Sequence, residues 1–154
     1  MIEVKEITKY YGIGESRFQV LKGISLEIKD GDFTVILGAS GSGKSTLLNV
    51  ISGLEHPDGG RVSYDGADIT TLSDQELTAF RKKTVGFIFQ QYYLLPNMNV
   101  DKNVKMGADL AGNRDYKAVI KAVGLEEKLQ KYPSELSGGE QQRVCVARAL
   151  AKKP

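Results

Sequence analysis

The stretch GASGSGKST, residues 38–46, has the residue types and spacing of a polyphosphate-binding loop. It matches the pattern G-x-x-x-x-G-K-[ST], in which glycines let successive backbone amides point at the phosphates. In this pattern Lys44 reaches the β- and γ-phosphates, and the Ser45 hydroxyl is a ligand of Mg²⁺. An incidental glycine-rich turn is the alternative, but an apolar run before the stretch and a helical pattern after it favour nucleotide binding. The predicted contacts are Gly38, Ser40, Gly41, Ser42, Gly43, Lys44, Ser45 and Thr46.

A second stretch, LSGGEQQRV at residues 136–144, is typical of a helix start that faces an anion. Ser137 and Glu140 form the S-x-x-E pattern of a capping box, in which each side chain bonds the backbone amide of the other residue. An ordinary capped helix explains these two residues. It does not explain Gly138 and Gly139, which leave the neighbouring amides uncovered for a negatively charged ligand.

Length and composition indicate one globular domain. The 154 residues carry a formal net charge of +2, which is too small to indicate a nucleic-acid partner. The longest apolar runs have the length of a strand and fall far short of the ~20 residues that span a bilayer. Cys145 is the only cysteine, which excludes an internal disulfide and favours a reducing compartment. These features predict a cytosolic protein.

Strand patterns fill the N-terminal part of the chain. Alternating apolar residues predict a first strand over residues 2–7 and a second over residues 18–28, FQVLKGISLEI. The dipeptide Asp65-Gly66 predicts a hairpin between two short strands. Two continuous apolar runs, residues 33–37 and 85–89, are typical of strands covered on both faces.

Helical patterns follow the phosphate loop and fill the C-terminal half. The helix that starts at Lys44 presents an apolar face, for which the periodicity predicts Leu47, Leu48 and Ile51. Ser73 and Glu76 form another capping box, which opens a helix to about Lys83. Residues 97–130 are mostly helical in pattern, with Gly124 at a C-cap. Together the elements predict an α/β plan with an all-helical lobe.

The two stretches, in this order and at this spacing, resemble the phosphate loop and the signature motif of ABC-type ATPases. On that resemblance, Gln90 after GFIF matches the Q-loop glutamine, which contacts Mg²⁺ and water and relays to the transporter subunit. Tyr11 in ITKYYG matches the aromatic residue that stacks on adenine, with the neighbouring Tyr10 as the alternative. The segments YGIGESRFQVLKGISLEI, TLSDQELTAFRKK and FIFQQYYLLPNMNV are most similar to the macrolide-exporter and lipoprotein-release branch.

The resemblance implies an α/β fold with a P-loop NTPase (RecA-like) core, an N-terminal antiparallel β subdomain and a helical subdomain. The expected boundaries are 1–32 and 60–72 for the β subdomain, 33–59 and 73–90 for the core, 91–140 for the helical subdomain, and 141–154 for the signature helix returning to the core. The family continues after this helix with an apolar strand that ends in an Asp and the water-activating Glu. No segment here matches that strand. The resemblance therefore implies an incomplete core sheet and the first two-thirds of a longer domain.

In the family, two subunits enclose two ATP molecules in a head-to-tail dimer. The resemblance therefore implies ATP and Mg²⁺ as cofactors, a second copy of the chain and a transmembrane permease subunit as partners, and a peripheral position at the cytoplasmic face of the membrane. Lys44 and Gln90 are the expected catalytic residues, with Ser45 and Gln90 as Mg²⁺ ligands. The residues expected to close over the γ-phosphate of the other subunit are Ser137, Gly138, Gly139 and Glu140.

These expectations lead to one function and two alternatives. The first is the ATP-binding subunit of an ABC transporter, an ATPase when complete. Without the water-activating Glu, the 154 residues alone are expected to turn over almost no ATP. One alternative is a non-hydrolysing module that binds nucleotide and docks on a partner. The other is a soluble ABC protein that acts on DNA or ribosomes, which the lack of a long coiled coil and of a second cassette argues against.

Three further sites have plainer interpretations. His56, the only histidine, lies in a turn and is interpreted as a solvated loop residue. Cys145 falls on the signature helix among apolar residues and is interpreted as a small buried hydrophobe. For Tyr92 and Tyr93, which follow the Q-loop glutamine, contact with the membrane subunit and packing within a loop are both open.

Overall fold

The computed structural model describes all 154 residues, which divide into two compact units, residues 1–78 and 79–154. One helix, α2 (Asp74–Thr84), contains the boundary between them. Each unit has its own buried apolar residues. No helix combines the length and the apolar character needed to cross a membrane.

The first unit is built on a four-stranded antiparallel sheet in the order β2-β1-β3-β4. Its strands are β1 (Ile2–Tyr11), β2 (Phe18–Ile28), β3 (Gly59–Tyr64) and β4 (Ala67–Asp68). Strand β1 pairs with both β2 and β3, and its pairing is irregular between Val4 and Ile7. Both Val4 and Ile7 are almost fully buried. The predicted first two strands are confirmed.

The predicted hairpin between β3 and β4 is also confirmed. Asp65 has a φ of 49° and Gly66 a φ of 83°, and both values lie in the left-handed region. Two successive positive φ values are what a two-residue hairpin turn requires, since they match the twist of the flanking strands.

Helix α1 (Lys44–Ile51) buries a narrower stripe than the sequence predicts. Leu47 and Ile51 are buried as expected, but Leu48 is 55% exposed and Val50 is buried instead. Positions 47, 50 and 51 lie within about 100° of one another around a helix of 3.6 residues per turn. Leu48 lies outside this arc, so its prediction as a core residue is wrong.

The two predicted buried strands, residues 33–37 and 85–89, are not strands in this structure. Phe33 is 94% exposed and Leu37 86% exposed, and Ile88 is 55% exposed. A strand forms only where its backbone amides and carbonyls meet those of a neighbouring strand, and no segment of the chain pairs with either run. The strand prediction is therefore wrong, while the expectation of an incomplete core sheet is confirmed.

The second unit is helical. Besides the end of α2, it contains α3 (Val100–Ala111), α4 (Tyr116–Ala122) and α5 (Gly138–Leu150). Gly124, just after α4, has a φ of 67°, which confirms the predicted C-cap. The core of this unit consists of Val100, Val104, Ala108, Ile120, Leu125, Leu136, Val144, Ala147 and Ala151.

The two residues that invite chemical interpretation have ordinary environments. The side chain of His56 is 46% exposed, and its Nε2 lies 3.2 Å from Asp74 Oδ1 in the first unit. Cys145 is a fully buried free thiol on α5. The interpretations of a loop histidine and of a buried cysteine are confirmed.

Candidate nucleotide-binding site

The phosphate loop leads directly into the N-terminus of α1. Gly43 is the N-cap residue, and its φ of 92° is a conformation that favours glycine. Because glycine has no side chain, the first-turn amides of α1 have no side-chain cap. These amides and the positive end of the helix dipole therefore remain available at one point, which suits an anion.

Two more glycines shape the loop. Gly41 has a φ of 79° and open space where a Cβ atom would lie. A Cβ on Gly38 would lie 2.5 Å from the Ser42 hydroxyl oxygen, which is too close for atoms that are not bonded. The Ser42 amide donates to the Ala39 carbonyl at 3.2 Å and closes the turn, while the Ser40 side chain is exposed. The backbone conformation therefore favours glycine at Gly41, whereas at Gly38 a side chain would require the Ser42 hydroxyl to rotate away.

The Lys44 side chain lies against this loop. Its Nζ donates to the carbonyl oxygen of Gly38 at 2.8 Å and to that of Ala39 at 2.7 Å. Ser45 is exposed and Thr46 half-buried in the first turn of α1. The structure thus brings the ammonium group, a hydroxyl and the uncapped amides to one end of one helix. Charged phosphate oxygens are stronger acceptors than neutral carbonyls, so a phosphate can take over the Lys44 bonds.

Tyr11, at the end of β1, is held by a carboxylate. Its hydroxyl donates to Glu55 Oε1 at 2.6 Å, and its ring centre lies 6.2 Å from that of Phe18. Burial, followed by the bond to Glu55, raises the pKa of the Tyr11 hydroxyl. Both tyrosine rings have a cation nearby: the Arg17 guanidinium lies 4.4 Å from the centre of the Tyr10 ring, and Lys9 Nζ lies 5.7 Å from the centre of the Tyr11 ring. Both distances are within the range of a cation–π contact.

A groove of about 410 Å³ runs between β2 and the phosphate loop. Small-molecule sites typically enclose about 300–1,000 Å³, so the groove has the size of such a site. It combines an aromatic ring, an ammonium group and backbone of the phosphate loop. The lining residues are Phe18, Gln19, Val20, Lys22, Ile24, Gly41 and Ser42.

The second stretch forms the start of α5, and its predicted capping box is confirmed. Ser137 Oγ accepts from the Glu140 amide at 3.3 Å, and Glu140 Oε2 accepts from the Ser137 amide at 2.8 Å. The Ser137 amide, and then its hydroxyl, hold the pKa of the Glu140 carboxyl below its usual range. A Cβ on Gly138 would meet no atom within 4 Å, and one on Gly139 would meet only Arg143 at 3.9 Å. Packing within the chain therefore does not require glycine at either position.

Gln90 lies in the second unit, is exposed, and begins the loop that leads to α3. Two residues on, Tyr92 and Tyr93 form a turn whose carbonyls both accept from Arg148 of α5. Arg148 and Glu55 make contacts here that the sequence patterns did not predict. An arginine inside the apolar run VCVARAL is a signal for Arg148, whereas no local pattern marks Glu55 as the partner of a tyrosine.

One family model matches most of the chain. A family model described as ABC transporter matches residues 21–154. A protein of Mycoplasma pneumoniae that is named an ABC transporter ATP-binding protein is 50% identical over the whole chain, which spans only 34% of that protein. The lipoprotein-releasing system ATP-binding protein LolD of Geobacter metallireducens is 44% identical, and the whole chain spans 71% of it.

A solved structure is similar along the full chain. It is the dimeric ATP-binding cassette MJ0796 in a post-hydrolysis state, bound to ADP and Pi. The TM-score is 0.91 and the sequence identity 40%, and the match covers 100% of this chain and 71% of that one.

Proposed function

This chain belongs to the ABC transporter family, and we propose that it is the ATP-binding part of a transporter that uses MgATP for export or for mechanical work on a membrane complex. Its fold is that of an ATP-binding cassette, a P-loop NTPase, with an incomplete core sheet. Because the chain spans 34% of its Mycoplasma pneumoniae relative, the activity and the partners of the whole protein belong to the proposal.

One observation carries the proposal, namely Lys44 held against a glycine loop at an uncapped helix start. We assign the triphosphate to this loop, residues 38–46, with the backbone amides, the helix dipole and the ammonium group as its contacts. Lys44 is the proposed catalytic residue here, since its charge offsets the charge that develops on the transferred phosphoryl group.

The proposed site also includes Mg²⁺. The chain has no group of three or more His, Cys, Asp or Glu side chains that would hold a metal ion by themselves. Mg²⁺ in nucleotide sites usually keeps several waters and takes one or two protein ligands beside the phosphate oxygens. We propose the exposed hydroxyl of Ser45 and the side-chain oxygen of Gln90 as these ligands. The bound ion would neutralise phosphate charge.

For the adenine base we propose Tyr11 as the stacking residue. Glu55 holds its hydroxyl, which limits the orientations of the ring. Tyr10 is the weaker candidate, because Arg17 lies closer to its ring, at 4.4 Å, than Lys9 lies to the Tyr11 ring, at 5.7 Å. Stacking on an aromatic ring uses the face of any base and contributes about 1–3 kcal/mol per base.

The start of α5 is proposed to contact the nucleotide of a second copy of the chain, in a head-to-tail dimer. Ser137, Gly138, Gly139 and Glu140 would close over its γ-phosphate. Two observations support this role. A Cβ on Gly138 would meet no atom within 4 Å, so packing within the chain does not require glycine at this position. The similar cassette that is bound to ADP and Pi is dimeric.

A transmembrane permease is the proposed membrane partner, which would place the chain at the cytoplasmic face of the membrane. A groove of about 270 Å³ in the second unit fits an apolar segment of such a partner. Three of its side chains are well exposed: Tyr93 at 59%, Leu110 at 45% and Met106 at 38%. The groove is lined by Phe87, Phe89, Tyr93, Met106, Gly107, Leu110, Arg148, Ala149 and Lys152.

Lys44→Ala tests nucleotide binding. The Lys44 side chain bonds only carbonyls of its own loop, so its removal should abolish binding of a fluorescent ATP analogue while circular dichroism stays as in the parent. Lys117→Ala, which removes an exposed lysine from α4, is the matched control and should bind as the parent does. Equal binding by Lys44→Ala and the parent would reject the assignment.

For the 154 residues alone we propose nucleotide binding with ATP turnover near background. No apolar strand of the chain ends in an Asp-Glu pair, and loss of a general base usually costs about 10²–10⁴ in rate. Phosphate release that Lys44→Ala abolishes would contradict this proposal, because it would show that a carboxylate already present activates the water.

A further inference from the structure

The loop after Gln90 contains two residues in a conformation that bulky side chains rarely adopt. Tyr92 has a φ of 58° and Tyr93 a φ of 44°. The Tyr92 amide donates to the Phe89 carbonyl at 3.1 Å, and the Tyr93 amide to the Gln91 carbonyl at 2.6 Å. Glycine is the usual residue in such a turn, so contacts from outside the turn must hold two tyrosines there.

Arg148 of α5 supplies those contacts. Its Nη1 donates to the Tyr93 carbonyl and its Nη2 to the Tyr92 carbonyl, both at 2.6 Å. Bonds from an ionised donor are stronger than neutral ones. The planar guanidinium can present two parallel donors at once, whereas the ammonium of a lysine is a point charge on a flexible stem.

The arginine projects from a fixed point. A Cβ on Gly107 of α3 would lie 2.1 Å from the Arg148 carbonyl oxygen, so the backbones of α3 and α5 are in direct contact here. Val144 and Ala147, on the turn before Arg148, are 1% and 0% exposed in the core of the second unit. Packing in the core of the second unit therefore fixes the backbone from which Arg148 projects.

We propose that Arg148 is a positioning residue for Gln90. Its two bonds set the turn at Tyr92 and Tyr93, and through this turn they set the direction in which the chain leaves Gln90. Gln90 then moves together with α5, whose N-cap residue is Ser137. The inference rests on the proposed function, in which Gln90 and the start of α5 both act at the γ-phosphate end of a nucleotide. Arg148 itself touches no nucleotide and acts through the loop.

Hydrogen exchange tests the contact without nucleotide. In the 154-residue chain, Arg148→Ala should speed exchange of the Tyr92 and Tyr93 amides roughly tenfold or more, and Arg148→Lys should do so in part. Arg143→Ala, on the same helix but without a hydrogen bond to the turn, should leave this exchange as in the parent. Unchanged exchange at the turn in both Arg148 variants would overturn the proposal.

The core amide of Val104 in α3 serves as the reference for the fold. If Arg148→Ala speeds exchange at Val104 as much as at the turn, Arg148→Lys becomes the deciding variant, because it keeps the charge and most of the side chain. Faster exchange at Tyr92 and Tyr93 alone in Arg148→Lys would then support the positioning role, and unchanged exchange there would refute it.

Nucleotide affinities separate positioning from general stabilisation. If Gln90 responds to the γ-phosphate, Gln90→Ala should reduce the preference for ATP over ADP. Arg148→Lys should reduce it in the same direction, and the double variant should reduce it no further. An arginine that only stabilised the fold would weaken ATP and ADP by the same factor, which would refute the proposal. If Lys44→Ala binds ATP as the parent does, the proposed function fails, and the exchange experiment still decides the role of Arg148.

Discussion

Gly43→Ala is the most direct test of the phosphate loop, because the structure gives two separate reasons why this variant should bind ATP more weakly. The first is conformation, since Gly43 has a φ of 92°. The second is space, since a Cβ there would lie 3.0 Å from Val20 Cγ1 and 3.1 Å from Leu21 Cδ2. Gly41→Ala is the matched variant. It has a similar φ of 79° but no atom within 4 Å of the added Cβ.

The two variants therefore have different expected costs. A left-handed backbone costs a non-glycine residue roughly 1–2 kcal/mol, which applies to both. Crowding of a packed site costs about 1–3 kcal/mol, so we expect a total of about 2–5 kcal/mol for Gly43→Ala. If ATP binds the observed loop conformation, Gly41→Ala should weaken binding about 5- to 30-fold and Gly43→Ala roughly 30- to 4,000-fold.

Titration with a fluorescent ATP analogue measures both losses, and circular dichroism confirms that the sheet is retained. If both variants lose the same amount of affinity, crowding at Gly43 has no effect, because only Gly43 has atoms close to the added Cβ. If both variants bind as the parent does, the positive φ has no effect either, and the loop binds nucleotide in another conformation.

Two further changes test helix α5 and its contacts. Gly107→Ala should destabilise the chain by about 2 kcal/mol in urea unfolding, since overpacking against Arg148 costs up to ~3 kcal/mol and the gain in helix propensity returns ~1 kcal/mol. Gly139→Ala should not destabilise the chain, because its Cβ would meet only Arg143, at 3.9 Å. The folded-state pKa of Glu140 is lowered, so its contribution to stability is present above the unfolded value of 4.5 and is lost as pH falls through the folded value. The difference in Tm between the parent and Glu140→Gln should therefore shrink below pH 4.5, and a constant difference would contradict the assigned cap.

The features that the sequence predicts correctly have causes within a few residues. The hairpin needs two positive φ values in succession, and Asp65-Gly66 is a pair that accepts them. The capping box of α5 needs only a hydroxyl and a carboxylate three residues apart, as in Ser137 and Glu140. The phosphate loop is local in the same sense, so the residues of its candidate site are readable from the sequence, although what they bind is a proposal.

The features that the sequence does not predict depend on distant partners. Residues 33–37 and 85–89 have the composition of buried strands, but strand formation needs a neighbour that hydrogen-bonds along the run. The contact between Arg148 and Tyr93 spans 55 residues, and no periodicity within α5 reveals it. The predicted burial of Leu48 is wrong for a simpler reason, because periodicity defines the apolar face of α1 only to within about one residue position.

Helices α1 and α5 start in opposite ways, and this difference supports the roles that we propose for them. At α1, Gly43 offers no side chain to the first amides, so a phosphate meets no competitor from within the chain. At α5, the Glu140 carboxylate already accepts from the Ser137 amide and places a negative charge beside the positive end of the helix dipole. An anion that approaches α5 can use the remaining amides of the glycine pair but also meets this charge. Helix α1 is therefore suited to hold a nucleotide by itself, whereas α5 is suited to close over a nucleotide that another loop already holds.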